Sequence, residues 1–348
     1  MTEANLYMLY KGVYVPNGIH TPDSLKYCEE FTFRPDDVVI ATYPKSGTTW
    51  MQEILPLILS EGDPASVETV PNWDRVPWLE ETRASILNLE ERPSPRMLTT
   101  HLHYNMMPPS FFQVKPKVIY VMRNPKDVFT SSFHYYNIAS FLVKPGPKRE
   151  FLQKFLDGKV IFGSWFDHVK GWLSAEEKQH IMYISYEEMI KDLYGSVSRI
   201  SQFLGKHLDA GVIEKIADRC LFKNMKNNPM SNYSVVPQEF MDQTKSQFLR
   251  KGVAGDWKSR IAQFLGKHLD AGVIEKIADR CLFKNMKNNP MSNYSVVPQE
   301  FMDQTKSQFL RKGVAGDWKN LLTPEEAEQF DAVFKEKMKD VKFRFAWD

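Results

Sequence analysis

Asp36-Asp37-Val38-Val39-Ile40-Ala41-Thr42, followed at once by Tyr43-Pro44-Lys45-Ser46-Gly47-Thr48-Thr49-Trp50, decides how this chain folds. The first half is continuously apolar after a charged start, the pattern of a parallel strand buried on both faces. The second half is a short polar loop, and Trp50–Leu59 beyond it reads as a helix. Where a strand hands over to a helix, backbone N–H groups and the positive end of the helix dipole converge on one spot that favours an anion. Gly47 lets the backbone approach a phosphate closely, Ser46, Thr48 and Thr49 offer hydroxyls, and Lys45 supplies a mobile point charge. The loop shares the logic of the Walker A loop without matching it. That motif needs a glycine four residues before its Gly-Lys-Ser/Thr, and here the lysine precedes the glycine. Taken alone, so short a stretch also reads as a polar turn that only caps a helix.

The same strand-loop-helix sequence recurs downstream. Lys117-Val118-Ile119-Tyr120-Val121-Met122 reads as a second strand, running into Arg123-Asn124-Pro125-Lys126-Asp127 and a helix from about Val128. Ile181-Met182-Tyr183-Ile184-Ser185 reads as a third, leading through Tyr186-Glu187-Glu188 to a helix that contains Arg199–Leu204. Strands alternating with helices predict an α/β fold, a central parallel sheet flanked by helices. Asp63–Pro95, rich in Pro and Trp, reads as irregular, and no linker divides the chain. Arg123 stands at a strand's C-terminal end, where open α/β sheets bind ligands. It is placed to clamp a second phosphate, with Ser131 two turns into the following helix, or to pair with Asp127. A nucleoside triphosphatase needs an acidic residue at this strand's end to hold Mg²⁺, and Met122-Arg123 offers none.

Composition sets the remaining bounds. Apolar residues make up 43% and charged residues 25% of the chain, ordinary globular values. A net charge of +2 does not suggest a nucleic-acid binder, so any anion must be held by local donors. The three cysteines, Cys28, Cys220 and Cys281, build no disulfide framework and favour a reducing compartment. The N-terminal twenty residues lack a basic flank before an apolar core, and the apolar run Ile54–Leu59 is too short to span a bilayer. A cytoplasmic protein with neither nucleic acid nor membrane as partner is the expectation.

One feature is foreign to such a domain. Ser198–Lys258 is followed directly by Ser259–Lys319, and the two 61-residue copies differ only at Ser201 against Ala262. Solenoid repeats diverge and need at least three units to share a core, so this pair fits neither pattern. It reads as a duplication laid onto an ordinary single domain spanning residues 1–348, with one copy surplus.

Several segments together resemble the cytosolic sulfotransferases: Thr42–Trp50, Thr100-His101-Leu102, Arg123–Asp127, Tyr186-Glu187-Glu188, and Arg311-Lys312-Gly313-Val314-Ala315-Gly316-Asp317-Trp318-Lys319. The resemblance covers the whole chain apart from the extra copy. Gly163–His168, Asn228–Ser234 and Thr99 look most like the hydroxysteroid (alcohol) branch. The family moves a sulfuryl group from 3′-phosphoadenylyl sulfate (PAPS) to an acceptor hydroxyl, and the resemblance implies no metal. It implies that Lys45, Ser46, Gly47, Thr48 and Thr49 hold the donor's 5′ end, with Lys45 also neutralising the leaving oxygen. Arg123 and Ser131 would hold the 3′-phosphate, and Trp50, Tyr186 and either Phe222 or Phe283 would surround the adenine. Arg311, Lys312 and Gly313, or alternatively Arg250, Lys251 and Gly252, would complete the 3′-phosphate site. His101 becomes the general base through its Thr-His context; of the eight histidines, His103 and His134 are equal contenders without it.

The acceptor is expected to be a lipophilic molecule bearing a hydroxyl, a steroid alcohol or a phenol. Some of Met106, Met107, Phe133, Tyr135 and Tyr136 are expected to line a pocket, while most of them read equally as core. The family's dimer segment corresponds to Lys319, Thr323 and Glu328, with Pro324 where an apolar residue is usual, so a homodimer is expected in weakened form. The rival readings are a PAPS-binding relative disabled by the duplication, a P-loop kinase, and a Golgi carbohydrate sulfotransferase. The missing glycine and metal ligand disfavour the kinase, and the lack of a membrane anchor disfavours the Golgi enzyme.

Overall fold

The computed structural model describes residues 6–243, 248 and 316–347. Contacts divide the chain into two compact units, Met1–Arg250 with Trp318–Asp348, and Lys251–Asp317. The second lies almost wholly outside the described residues.

The first unit is built on a four-stranded parallel sheet in the order β4-β3-β5-β6. Its strands are β3 (Val38–Thr42), β4 (Met97–Thr100), β5 (Lys117–Met122) and β6 (Ile181–Ser185). An antiparallel pair, β1 (Tyr7–Tyr10) and β2 (Val13–Pro16), stands apart from it. Ile40 is flanked by Thr99 on one side and Ile119 on the other, so β3 is central. Successive side chains on a strand point to opposite faces, and the core divides accordingly. Val39, Ala41, Leu98, Val118, Tyr120 and Met122 enter one cluster with Phe129, Phe155, Trp165, Trp172 and Phe330. Val38, Ile40, Ile119, Val121 and Ile184 enter a second with Ile54, Leu55, Ile58, Val197, Ile200, Ile213 and Ile216. The first face is covered by helices Pro125–Ile138, Trp165–Leu173 and Pro324–Met338, the second by Thr48–Leu59, Leu193–Leu204 and Ala210–Arg219. The parallel α/β expectation holds.

Three sequence-based expectations change in detail. The strand Met97–Thr100 went unread, because four residues behind Pro95 carry too short a pattern. Asp63–Pro95 is not irregular throughout; it holds short helices at Ala65–Thr69, Asn72–Arg75 and Thr82–Ile86. The helix placed from about Val128 begins at Pro125, because the Asn124 side chain accepts from Lys126 N and caps it. Pro324 costs the C-terminal helix nothing at its start: it occupies the first turn, whose N–H groups have no intrahelical partner, behind a Thr323–Glu326 capping box. Copy-one residues from Ser198 onward are part of the core, with Ile200, Ile213, Ile216 and Cys220 buried, and Trp318 of copy two packs against the opposite face.

Candidate active site

The loop after β3 is shaped by two left-handed residues, Lys45 at φ 69° and Gly47 at φ 113°. Gly47 is the N-cap of helix Thr48–Leu59 and offers no side chain to its free N–H groups. A Cβ at Gly47 would lie 3.0 Å from the Tyr186 ring, so the position is closed to side chains by geometry and by φ together. Ser46 is buried and its Oγ has no hydrogen-bond partner. A buried donor beside open helix N–H groups is a place that fits an anionic oxygen. The Lys45 ammonium lies 4.1 Å from the Tyr135 ring centre and 4.3 Å from that of Phe248. Thr49 is buried.

Arg123, at the end of β5, lies against the same loop. Its Nη1 donates to Lys45 O at 3.1 Å, its guanidinium stacks 4.2 Å over the Tyr186 ring, and its buried Nε has no partner. Tyr186 in turn meets Trp50 edge-on at 5.4 Å, and Trp50 Nε1 donates to Cys220 O at 2.7 Å. That last bond ties the phosphate-loop helix to the segment bearing Phe222, which opens the helix Phe222–Asn227. Lys45, Gly47, Trp50, Arg123, Tyr186 and the Phe222 segment are thus linked through direct contacts. The orphaned Ser46 Oγ and Arg123 Nε beside the helix N-terminus fit a phosphate-bearing nucleotide. Ser131 lies two turns into Pro125–Ile138, half-buried. Arg250, Lys251, Gly252, Phe283, Arg311, Lys312 and Gly313 lie outside the described residues. Burial, followed by its own helix's and Asn124's N–H groups pulling the other way, leaves Glu187 raised to about 7, with Oε1 accepting from Asn124 N at 3.0 Å.

His101 follows β4 and faces β3. Its Nδ1 is 2.8 Å from Thr42 O, and a carbonyl can only accept, so the ring proton of the neutral imidazole sits on Nδ1. The lone pair is left on Nε2. Thr42 Oγ1 is 3.1 Å from the same Nδ1 and 2.7 Å from Thr48 Oγ1, so one threonine joins the histidine to the phosphate loop. The main chain of His101 is also held: its N–H donates to Glu80 Oε1 at 2.7 Å, and its carbonyl accepts from His168 Nε2 at 3.2 Å. Burial above all lowers the imidazole to about 4, so it is neutral at physiological pH. Of the two contenders, His103 directs Nε2 to Phe162 O at 2.8 Å, and His134 lies on helix Pro125–Ile138 beside Phe133. Among the described residues, His103 makes no hydrogen bond to the loop threonines.

Met106, Met107 and Tyr136 are buried in the core, the second of the two places open to them, whereas Tyr135 meets Lys45. Thr99, matched to the alcohol branch, is a core residue that accepts from Gln52 Nε2 and donates to Val76 O, both at 3.0 Å. Glu80, His168 and Thr42 went unnoticed as parts of the site, since their roles arise only from packing; Trp78, whose ring meets His101 at 5.9 Å, was equally silent. Among the described residues, no cluster of three or more metal-ligating side chains is present, and no helix is long and apolar enough to cross a membrane.

A parallel sheet with an anion-shaped loop beside a neutral histidine defines a group-transfer enzyme of the nucleotide-binding α/β type. The sequence profile of the sulfotransferase domain matches residues 35–260 and, from the start of copy two, 259–342; the chain belongs to the sulfotransferase family. It is 47% identical over 254 residues to mouse (Mus musculus) sulfotransferase 2B1, covering 73% of this chain and 75% of that one. With the guinea pig (Cavia porcellus) 3-beta-hydroxysteroid sulfotransferase it shares 42% over 270 residues, 77% of this chain and 93% of that one. Among solved structures, mouse SULT7A1 complexed with PAP superposes with a TM-score of 0.64 at 28% identity, over 97% of this chain and 96% of that one.

Proposed function

We propose that this protein transfers a sulfuryl group from PAPS to the hydroxyl of a lipophilic small molecule, a steroid alcohol or a phenol. The observation that carries the reading is the Thr42 bridge, which holds a neutral histidine and an anion-shaped loop within one hydrogen-bonded network. The PAP bound to SULT7A1 and the hydroxysteroid activity named for the guinea pig relative support it.

Bound PAPS supplies an electrophilic sulfur and an adenosine 3′,5′-bisphosphate leaving group. Lys45–Thr49 hold its 5′ end through helix N–H groups and hydroxyls, and Arg123 and Ser131 hold the 3′-phosphate with an Arg-Lys-Gly segment from one copy. Trp50, Tyr186 and Phe222 flank the adenine. His101 Nε2 accepts the acceptor's hydroxyl proton as the new S–O bond forms, and the Nδ1–H bond to Thr42 O steadies the imidazolium that results. Lys45 places its charge where negative charge grows on the departing oxygen. The lysine's resting place between two aromatic rings is within reach of that role, since its flexible stem allows it to swing.

One copy of the repeat is surplus to this site. The residues beginning at Ser198 already provide the helices, and Cys220 O already receives Trp50. The C-terminal helix is entered from the end of copy two. A homodimer through Lys319–Glu328 is part of the proposal, its Thr323, Pro324 and Glu328 being exposed. The deciding experiment measures transfer from labelled PAPS to steroid alcohols and phenols by this chain and by a version lacking Ser259–Lys319. Transfer by both is expected; folded protein of both forms without transfer to any acceptor overturns the reading.

A further inference from the structure

The two rings around Lys45 come from different parts of the chain. Tyr135 lies on helix Pro125–Ile138, whereas Phe248 belongs to the first copy of the 61-residue repeat. Their ring centres are 5.9 Å apart with the planes at 69°, and the ammonium lies 4.1 Å from the first and 4.3 Å from the second. Lys45 is half-buried. An ammonium set over two electron-rich rings is held by cation–π attraction, which grows as water is excluded.

Hydrogen bonds and ring contacts fix Phe248 in this place. Its N–H donates to Gln243 Oε1 at 3.3 Å, and Gln243 Nε2 donates to Tyr233 O at 2.6 Å. The Tyr233 ring lies 4.0 Å from that of Phe248 and 4.9 Å from that of Trp73. Just upstream, Asp242 N donates to Ile138 O at 3.2 Å and Ser140 N donates to Phe240 O at 3.0 Å. These bonds tie the first copy to the C-terminal end of the helix that bears Tyr135, so both walls of the cradle are braced at one helix end. Phe309 occupies the corresponding position of the second copy within the same local sequence, so the sequence alone does not tell which phenylalanine meets the lysine.

We infer that Phe248 is a positioning residue for Lys45, and that the first copy of the repeat, not the second, supplies it. The inference rests on the sulfotransferase reading and adds a residue to its reaction centre. A lysine stem is flexible, and a strongly hydrated ammonium left in water samples many positions. The rings confine it beside the phosphate loop, from which a short movement carries it to the oxygen that leaves. They hold the charge without neutralising it, so it stays available to the negative charge that grows during transfer. A carboxylate in the same place would compete with the donor for the lysine.

The test uses the full chain with Phe248→Leu, which keeps apolar bulk and loses the ring, Phe248→Tyr, which keeps the ring, and Phe309→Leu. In Phe248→Leu, kcat for transfer from PAPS is expected to fall roughly threefold to thirtyfold, the range of a cation–π contact, while the bisphosphate-induced rise in Tm is retained. Phe248→Tyr restores most of the rate, and Phe309→Leu leaves it unmoved. A second readout needs no transfer: the ¹³C methyl signal of dimethylated Lys45, assigned by its absence in Lys45→Arg, is displaced upfield by the rings in the nucleotide-free protein. Phe248→Leu moves that signal toward the position of a solvated lysine, and Phe309→Leu does not. An unmoved rate or signal in Phe248→Leu, an equal loss in Phe248→Tyr, or the effect appearing in Phe309→Leu instead overturns the inference. Folded protein that transfers to no acceptor, with the signal behaving as stated, overturns the sulfotransferase reading alone.

Discussion

Lys45 and His101 are reached from different strands, so their losses separate in a kinetic experiment. On the proposed mechanism Lys45→Ala removes charge that matters most as the leaving oxygen develops its own, and kcat is expected to fall by roughly two to three orders of magnitude. An unchanged kcat would remove the lysine from the mechanism. On the proposed mechanism His101→Ala deletes the base, and transfer is expected to drop by roughly 10²- to 10⁴-fold while the protein still binds adenosine 3′,5′-bisphosphate, read as a retained thermal shift. Loss of that shift would mark the histidine as structural. Gly47→Ala acts on binding instead: a left-handed φ costs a side chain about 1–2 kcal/mol, and its Cβ would press on Tyr186 at 3.0 Å. The bisphosphate-induced rise in Tm is expected to shrink or vanish, and an undiminished rise would show that the loop tolerates a side chain there.

At the scale of elements, local patterns were readable and packing relations were not. The strand at Val38–Thr42 announces itself because both its faces are buried, and the loop after it because Gly47 is flanked by hydroxyls and a lysine. Arg123 was legible by its place at a strand end. Met97–Thr100 escaped because its neighbours supply the pairing that its own four residues cannot advertise. Glu80 is invisible for a related reason: its carboxyl matters only because a turn brings it to the main chain of a residue far along the sequence. The repeat offers its own element-scale experiment. Ile200 is fully buried against the second face of the sheet, and Ile261 is its counterpart in copy two. Ile200→Ala is expected to cost about 2–5 kcal/mol in a denaturant titration. Ile261→Ala is expected to leave that transition unmoved, because Ile200 already fills the slot; the reverse result would mean that copy two supplies the core helix.

For the molecule as a whole, buried ionisable groups set an unusual pH response. Burial holds His20 and His101 at about 4 and lowers His103 and, further, His168. Unfolding frees these rings to bind protons below their ordinary pKa near 6.5, so their contribution to stability is lost as pH falls from there. Burial also raises Glu80 and Glu187 to about 7 and Glu81 to about 8. The folded chain therefore holds protons that the unfolded chain has released, and this contribution fades as pH rises through 7 and 8. The two sets oppose each other between about 4.5 and 6.5, and only the carboxyls remain above. Tm of the nucleotide-free protein is expected to fall between pH 6.5 and 8.5, and Glu187→Gln, which keeps the acceptor for Asn124 N, is expected to reduce the fall. A Tm that is level or rising over that interval would contradict the assignment.

Thr42 gives this arrangement a further property. Its carbonyl orients the histidine while its hydroxyl bridges histidine and loop, so the proposed base and anion site hang from the last residue of one central strand. The helix bearing Tyr135, whose ring meets Lys45 beside that centre, is attached elsewhere. Mutation can therefore reshape what is admitted without recalibrating how it reacts. A lineage of such proteins can explore new acceptors one wall at a time, each intermediate keeping its reaction centre intact.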